Sequence, residues 1–481
     1  MLNLKKYIWP AISLVLAFLL VFVLISGQDK AEYRPRIEVI GDVHQILTFS
    51  NLDEINSEYE EQVSLASLMQ VCEPWEDEYS VLLIGSDGLV ARIDERLDET
   101  WLQFSIENGW EIRDAVHPVS AQVKHLSQIV VVAESDRSLM SIGVDARNGE
   151  LLRMTPGNLV LAGLKRHLNW EGSSSIDRGS GTYEVDVYTS SWTLPLDEIL
   201  AQGSNLWISG RDGSVHLHRG IGELSLTGNR IDYLDEDYVV KDIAGILLDA
   251  PVGSIADAYD EALYYVGKDV PVMLLFLDGF SYGQYTYAGE QGLTPFLSGK
   301  TTAAEALSFY KPVTNVGFAA MISGQGPAEN GIHSRKDRML ENSIFRVLTE
   351  QGKTSLLLEG DVRILDAGTD EKLHVDLNKN GQVDDEIFAS ALEAVSGGYD
   401  YLLVHFHEID DAGHSHGPLG AETLEQIALH DTYVAELTQN FQGKVIVVAD
   451  HGMHKTEDGG NHGQVRWDDL VVPYLVMDGG K

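Results

Sequence analysis

From about residue 255 onward, five short apolar runs alternate with stretches of helical pattern. The runs are "PVMLLFLD", "TSLLLEG", "YDYLLVHFH", "GKVIVVAD" and "VVPYLVMD". Helical patterns fall at residues 255–266, 340–351, 385–396 and 421–440. A strand that is apolar on every side chain has to be covered on both faces. That demands a mostly parallel sheet with helices packed on either side. In such a sheet the carboxyl ends of the parallel strands share one edge, and ligands bind there. Three of the runs end in chemically active residues: one at Asp278, one in "HFHEIDDAGHSHGP", and one at Asp450 and His451. A buried carboxylate without a partner is costly. Asp278 therefore either caps a turn at the sheet edge or faces a cation.

The preceding part, residues 29–255, reads as β-rich. "GSDGLVARIDERLDETWLQFS" and "GRDGSVHLHRGIGELSLTGN" share a turn, an alternating strand and a further strand, the pattern of a duplicated unit. No constellation of chemically active residues stands out in it. At the N-terminus, Lys5 and Lys6 precede Tyr7 to Ile25, a run without a charge. At 1.5 Å per residue it reaches roughly 28 Å, the thickness of a bilayer core. It reads as a membrane anchor rather than a cleaved signal peptide, with its lysines in the cytoplasm and the rest of the chain outside. The expected division is a cytoplasmic stub and transmembrane helix at 1–28, a β-rich domain at 29–255 and an α/β domain at 256–481. A formal net charge of −40 argues against nucleic acid as a partner. A single cysteine, Cys72, excludes an intrachain disulfide framework and a multi-cysteine metal site. The sequence does not give the oligomeric state.

Carboxylates and imidazoles in the α/β part have metal-ligand spacing. Asp410 and His414 stand four residues apart and can reach one ion from adjacent helical turns. Asp450 and His451 are neighbours after a strand, and His462 sits in the glycine-rich "GGNHG". Mixed Asp and His ligands suit zinc or manganese. Asp411 and His454 are the alternatives to Asp410 and His462. Thr314 precedes a helix expected over 316–323. Its hydroxyl is either an N-cap or a nucleophile at a helix N-terminus, where free N–H groups bind phosphate. "HSRKDR" is a rare basic cluster in an acidic chain, and Arg335 and Lys336 in it suit a substrate phosphate. "DLNKNGQVDDE" resembles a calcium loop, with oxygen ligands at Asp376, Asn378, Asn380 and Asp384, although Ile387 stands where the last carboxylate belongs.

The motifs "LDGF", "PVTN…SGQGPAENGIH", "DDAGHSHGP", "DHGM" and "GNHG", in this order, resemble the alkaline phosphatase superfamily. The resemblance is strongest to its type I phosphodiesterase and nucleotide pyrophosphatase branch and covers about 271–477. It implies an alkaline-phosphatase-like α/β/α sandwich and two divalent ions, typically zinc. It places Asp410, His414 and His462 on one ion and Asp278, Thr314, Asp450 and His451 on the other. Thr314 would attack phosphorus and form a phospho-threonine intermediate. The branch usually carries an asparagine three residues after the nucleophile, where this chain has Gly317. Asn315, next to Thr314, is the substitute for the phosphoryl contact. The resulting expectation is a single-pass, extracytoplasmic phosphoesterase acting on a small phosphate ester, diesters slightly favoured. A phospho-group transferase with the same nucleophile and a non-catalytic binding protein on the same fold are the alternatives.

Overall fold

The computed structural model describes residues 34–56, 61–133, 141–147, 152–178, 181–198, 205–220, 222–235, 237–300, 303–339, 343–369 and 371–480. The expected membrane helix lies outside these residues. Among the described residues no helix is long and apolar enough to cross a membrane. By packing, the chain divides between Glu134 and Ser135.

The first unit is built on a five-stranded sheet. Its spatial order is Leu47–Phe49, Ile37–Gly41, Leu126–Ala133, Tyr79–Gly85 and Val90–Ile93. Ile37–Gly41 and Leu126–Ala133 pair in parallel, and the other neighbours are antiparallel. Alternate residues of these strands, such as Val81, Leu83, Ile129 and Val131, face inward on a core with Leu65, Leu68 and Trp110. The second unit begins with the same arrangement. Leu152–Met154, Ile142–Ala146, Ile243–Leu248, Leu206–Gly210 and Val215–His218 follow one another in the same order with the same pairing directions. The two "DG" phrases occupy the same place in both, the turn before the edge strand. Gly85 N–H donates to Leu89 O in one and Gly210 N–H to Ser214 O in the other, at 2.8 and 2.9 Å. The repeated phrase is thus a repeated fold.

The second unit also holds a five-stranded antiparallel sheet, in the order Lys165–Arg178, Gly181–Pro195, Glu223–Thr227, Arg230–Leu234 and Val239–Val240, and then the α/β region, an eight-stranded sheet. Its order is Gly253–Ser254, Ala304–Leu307, Val471–Asp478, Lys444–Val448, Val272–Leu277, Tyr401–Phe406, Ser355–Glu359 and Glu371–Leu373. Val272–Leu277 runs parallel to both of its neighbours, while Val471–Asp478 is antiparallel to both of its own. All six residues of Val272–Leu277 and all six of Tyr401–Phe406 are buried, as covering on both faces requires. Helices form at Asp257–Val266, Ile344–Glu350, Asp384–Ala394 and Ala421–Asn440. Within the second unit, the sheet of the repeat packs against the α/β region. Trp207, Leu247 and Ala244 share one apolar cluster with Leu307, Val465, Trp467, Leu470 and Val471.

Candidate active site

Strand register brings the site together. Phe276 stands level with His405 on one neighbouring strand and with Val448 on the other. Asp278, His407 and Asp450, each two residues further on, therefore leave the sheet at the same edge. Asp278 is followed by Gly279 at φ +70°, where a side chain would meet Asp410 Oδ1 at 2.5 Å. Only glycine fits there.

His451 Nε2 lies 3.2 Å from Asp450 Oδ2 and 3.5 Å from Asp278 Oδ1. His414 Nε2 lies 3.3 Å from Asp410 Oδ2 and 3.1 Å from His462 Nε2, and His462 Nε2 is 3.8 Å from Asp410 Oδ1. Asp410, His414 and His462 thus form one group with metal-ligand spacing, and Asp278, Asp410 and His451 form another. Buried atoms Asp278 Oδ1, Asp410 Oδ1, Asp450 Oδ2 and His451 Nε2 have no hydrogen-bond partner among the described residues. Acceptors that are buried, close together and unpaired are costly unless a cation compensates them. The donor set, carboxylate oxygens and imidazole nitrogens, fits a pair of divalent ions.

The charges within the protein make the same point. Burial, and next the charge of Asp278, push the Asp450 carboxyl above the usual carboxylate range. Burial works against the imidazolium of His451, yet Asp450, Asp410 and Asp278 lift it to about 9. Burial and the nearby His451 push His462 down to about 4. Negative charge is in excess around Asp278 and Asp450, and His462 is held neutral with a free electron pair. His462 Nδ1 is turned to Pro312 O at 3.0 Å and His414 Nδ1 to Gly460 O at 3.1 Å. In both rings Nε2 is the nitrogen left facing Asp410. Such outer contacts fix ring orientation at metal centres.

The helix expected at 316–323 starts earlier, at Thr314, and runs to Ser323. Val313 holds the N-cap position, so Thr314 is the first helical residue rather than the cap. Thr314 shares a cavity of about 440 Å³ with Asp278, Asp410, His407 and Arg335. Asn315 Nδ2 is buried and has no hydrogen-bond partner among the described residues. At Gly317 a side chain would come within 2.5 Å of the Asp450 carbonyl oxygen. The helix start rests directly on the turn that carries Asp450, and this excludes an asparagine at that position.

Other expected residues are placed elsewhere. His454 is buried and pairs its Nδ1 with Asp469 Oδ1 at 2.7 Å, apart from the His414–His462 group. Arg335 lines the cavity; Lys336 is exposed and is not among its lining residues. The calcium loop is not assembled. Asp376 accepts from the backbone N–H groups of Lys379, Asn380 and Gly381, closing the turn on itself. Asn378 and Asn380 donate their side-chain amides to Asp385. Asp384 is buried and points the other way, accepting from the N–H groups of His407 and Glu408 and bonding His430 Nε2 at 2.8 Å. It anchors the start of Glu408–His416, the helix that carries Asp410 and His414.

The sequence reading missed three residues behind the site. His405 Nε2 bonds Asp278 Oδ2 at 3.1 Å, and His407 Nε2 bonds Glu359 Oε1 at 2.8 Å. His405 Nδ1 is 2.9 Å from the same Glu359 oxygen, outside hydrogen-bond alignment. Burial opposes the charge on Asp278, but hydrogen bonds from His405 and His407 hold its carboxyl well below the usual range. The signal was present: two histidines inside an otherwise apolar strand run, and a glutamate ending another.

Residues 362–480 match the family model "Type I phosphodiesterase / nucleotide pyrophosphatase". Asp278 and Thr314 precede the matched stretch. The catalytic subunit of human (Homo sapiens) GPI ethanolamine phosphate transferase 3 is 24% identical over 156 residues, 30% of this chain and 14% of that protein. Phosphonoacetate hydrolase from Sinorhizobium meliloti 1021, solved with phosphonoformate, is 18% identical over 38% of this chain and 56% of its own, with a TM-score of 0.33. Murine ectonucleotide pyrophosphatase/phosphodiesterase 5 is 17% identical over 39% of this chain and 58% of its own, with a TM-score of 0.30. This chain thus spans a small part of the curated relative and just over half of each solved one. The matched stretch lies within the α/β region, which is therefore similar over residues 362–480 to the type I phosphodiesterase/nucleotide pyrophosphatase family.

Proposed function

We propose that the second unit is a two-metal phosphoesterase that works through Thr314 and favours diesters of small substrates. The observation that carries this reading is the shared cavity: the Thr314 residue at a helix start opens on the same space as Asp278 and Asp410. Asp410, His414 and His462 would hold one ion; Asp278, Asp450 and His451, with Thr314, would hold the other. When bound, two zinc or manganese ions would supply Lewis acidity toward the phosphoryl oxygens and the threonine hydroxyl. Thr314 Oγ1 forms a bond to phosphorus as the bond to the leaving alcohol breaks. Water then cleaves the phospho-threonine and restores the hydroxyl. The first-turn N–H groups and the free Asn315 amide face negative phosphoryl oxygens, and Arg335 reaches the substrate side.

The second reading passes the phospho-group from Thr314 to an alcohol in place of water. The name of the human relative, an ethanolamine phosphate transferase, supports it. Residues 7–25 support a single-pass anchor with this domain on the extracytoplasmic face, which would bring lipid-borne acceptors within reach.

The test is turnover of nitrophenyl phosphate mono- and diesters by the full-length chain with zinc or manganese, beside Thr314→Ala. Diester turnover that vanishes in the variant supports the hydrolase. Monoester preference shifts the assignment to a phosphatase. Nitrophenol release only on addition of an amphiphilic alcohol supports the transferase. Bound metal without turnover under any of these conditions supports the non-catalytic alternative.

A further inference from the structure

Outside the phosphoester centre, the described residues contain one more group of histidines and a carboxylate with metal-ligand spacing: His216, His218 and Asp235. We propose that these three side chains form a separate site for a divalent first-row transition ion. His216 and His218 are alternate residues of the edge strand Val215–His218, so they project from the same face, while Leu217 between them is exposed. His216 Nε2 lies 2.8 Å and His218 Nδ1 3.1 Å from one oxygen, Asp235 Oδ2. Around an ion with bonds of ~2.1 Å, neighbouring ligand atoms stand roughly 3.0–3.4 Å apart. All three atoms lie within 4.8 Å of one another, so shifts of ~1 Å take them to the corners of one face. Two imidazoles and one carboxylate on a face, with the other positions open, is a recognised transition-metal arrangement.

The side chains are held in place. Asp235 Oδ1 accepts from the N–H groups of Asp237 and Tyr238 at 2.9 and 2.8 Å, which leaves Oδ2 for the histidines. The Tyr238 ring stacks on His216 with centroids 4.2 Å apart. Supporting contacts of this kind orient metal ligands. The ligands also come from two sheets, His216 and His218 from an edge strand of one and Asp235 from the end of a strand of the other. An ion there would link the sheets in a chain that has no disulfide framework.

The first repeat shows that the fold does not require these histidines. Strand register places Ala91 and Ile93 where the second repeat has His216 and His218. Asp114 closes the strand Gly109–Asp114, and Asp235 directly follows the strand Arg230–Leu234, each in the hairpin after the edge strand of its repeat. Asp114 Oδ1 makes the same turn, accepting from Val116 and His117 N–H at 2.7 and 2.9 Å. The turn carboxylate is common to both repeats, and the paired histidines belong to the second alone.

The experiment is a Co²⁺ titration of the full-length, chelator-stripped chain, read by equilibrium dialysis and the visible Co²⁺ spectrum. Wild type is compared with His216→Ala/His218→Ile, which copies the first repeat, and with Asp235→Asn, which keeps the turn. Wild type is expected to bind one Co²⁺ more than the double variant, and a Co²⁺-dependent rise in Tm of about 3 °C disappears with it. Asp235→Asn should weaken the extra site by more than the ~10-fold typical of losing an outer contact. The difference between chains decides the matter, so the result does not depend on how the phosphoester centre fills. Equal Co²⁺ binding by wild type and Asp235→Asn overturns the proposal, whether or not the double variant folds.

Discussion

The two β repeats share strand order, pairing directions and turn geometry, yet they differ at the positions that matter for chemistry. Ala91 and Ile93 line the first repeat where His216 and His218 line the second. On the opposite face of the second repeat's sheet, Trp207 and Leu247 pack against the residues that follow His462. Both copies fill their interior with apolar side chains. The second adds imidazoles on its edge strand and docks the α/β region on the opposite face of its sheet. The difference also shows how topology sets where ligands come from. In the parallel sheet, loops from distant segments gather at one edge, and the buried centre is assembled from strand ends. In an antiparallel hairpin, successive turns point to opposite ends, and clustered ligands come from alternate residues of one strand face.

The sharpest way to test this division is to separate chemistry from scaffold. Thr314→Ala is expected to lower ester turnover by roughly 10³-fold or more, whereas His216→Ala/His218→Ile keeps it within about twofold of wild type. A comparable loss in both would break the comparison. Next in size, Trp207→Ala removes the largest side chain of the docked face. It should cost about 3–5 kcal/mol, read from the urea midpoint, and turnover should fall with it because Val465 and Trp467 flank the His462 loop. Gly317→Ala is expected to leave the chain folded but lower kcat by about 10–100-fold, because the added methyl pushes the helix start off Asp450. Unchanged kcat would show that the contact is not critical.

The smallest effect lies in the first unit. Burial pushes the Cys72 thiol up to about 12. Below that pH the neutral thiol predominates, so native protein at pH 8 should not react with a thiol reagent, while urea-unfolded protein reacts fully. Fast labelling of the native chain would show that the core of the first repeat is open.

Much of the catalytic region could be read from the sequence, because strands buried on both faces leave unbroken apolar runs and the active residues follow them directly. Asp278, Asp450 and His451 stand directly after such runs, whereas Asp410, His414 and His462 are read from spacing and from the family resemblance; the structure brings them together at one sheet edge. His405 and His407 were not read as part of the site: His405 reads as an interruption of the apolar run and His407 as the first residue past the strand, and only the neighbouring strand ending at Glu359 gives them a role. Asp384 was assigned to a calcium loop by spacing alone. Spacing does not give side-chain direction, and the buried His430 with two backbone N–H groups turned the carboxylate inward. The repeat was visible in its turns, but Asp235 was not, since it lies on a different sheet from the histidines it approaches.

The contact between Gly317 and the Asp450 backbone has a further consequence. Two main chains packed this closely have no rotamers, so the spacing between the proposed nucleophile and the turn that carries Asp450 does not vary with side-chain motion. Phe318 and Met321 in the same helix are fully buried in the core and hold that helix in place. The proposed reacting hydroxyl and the Asp450 turn are thus fixed to each other by backbone, whatever side chains line the rest of the cavity.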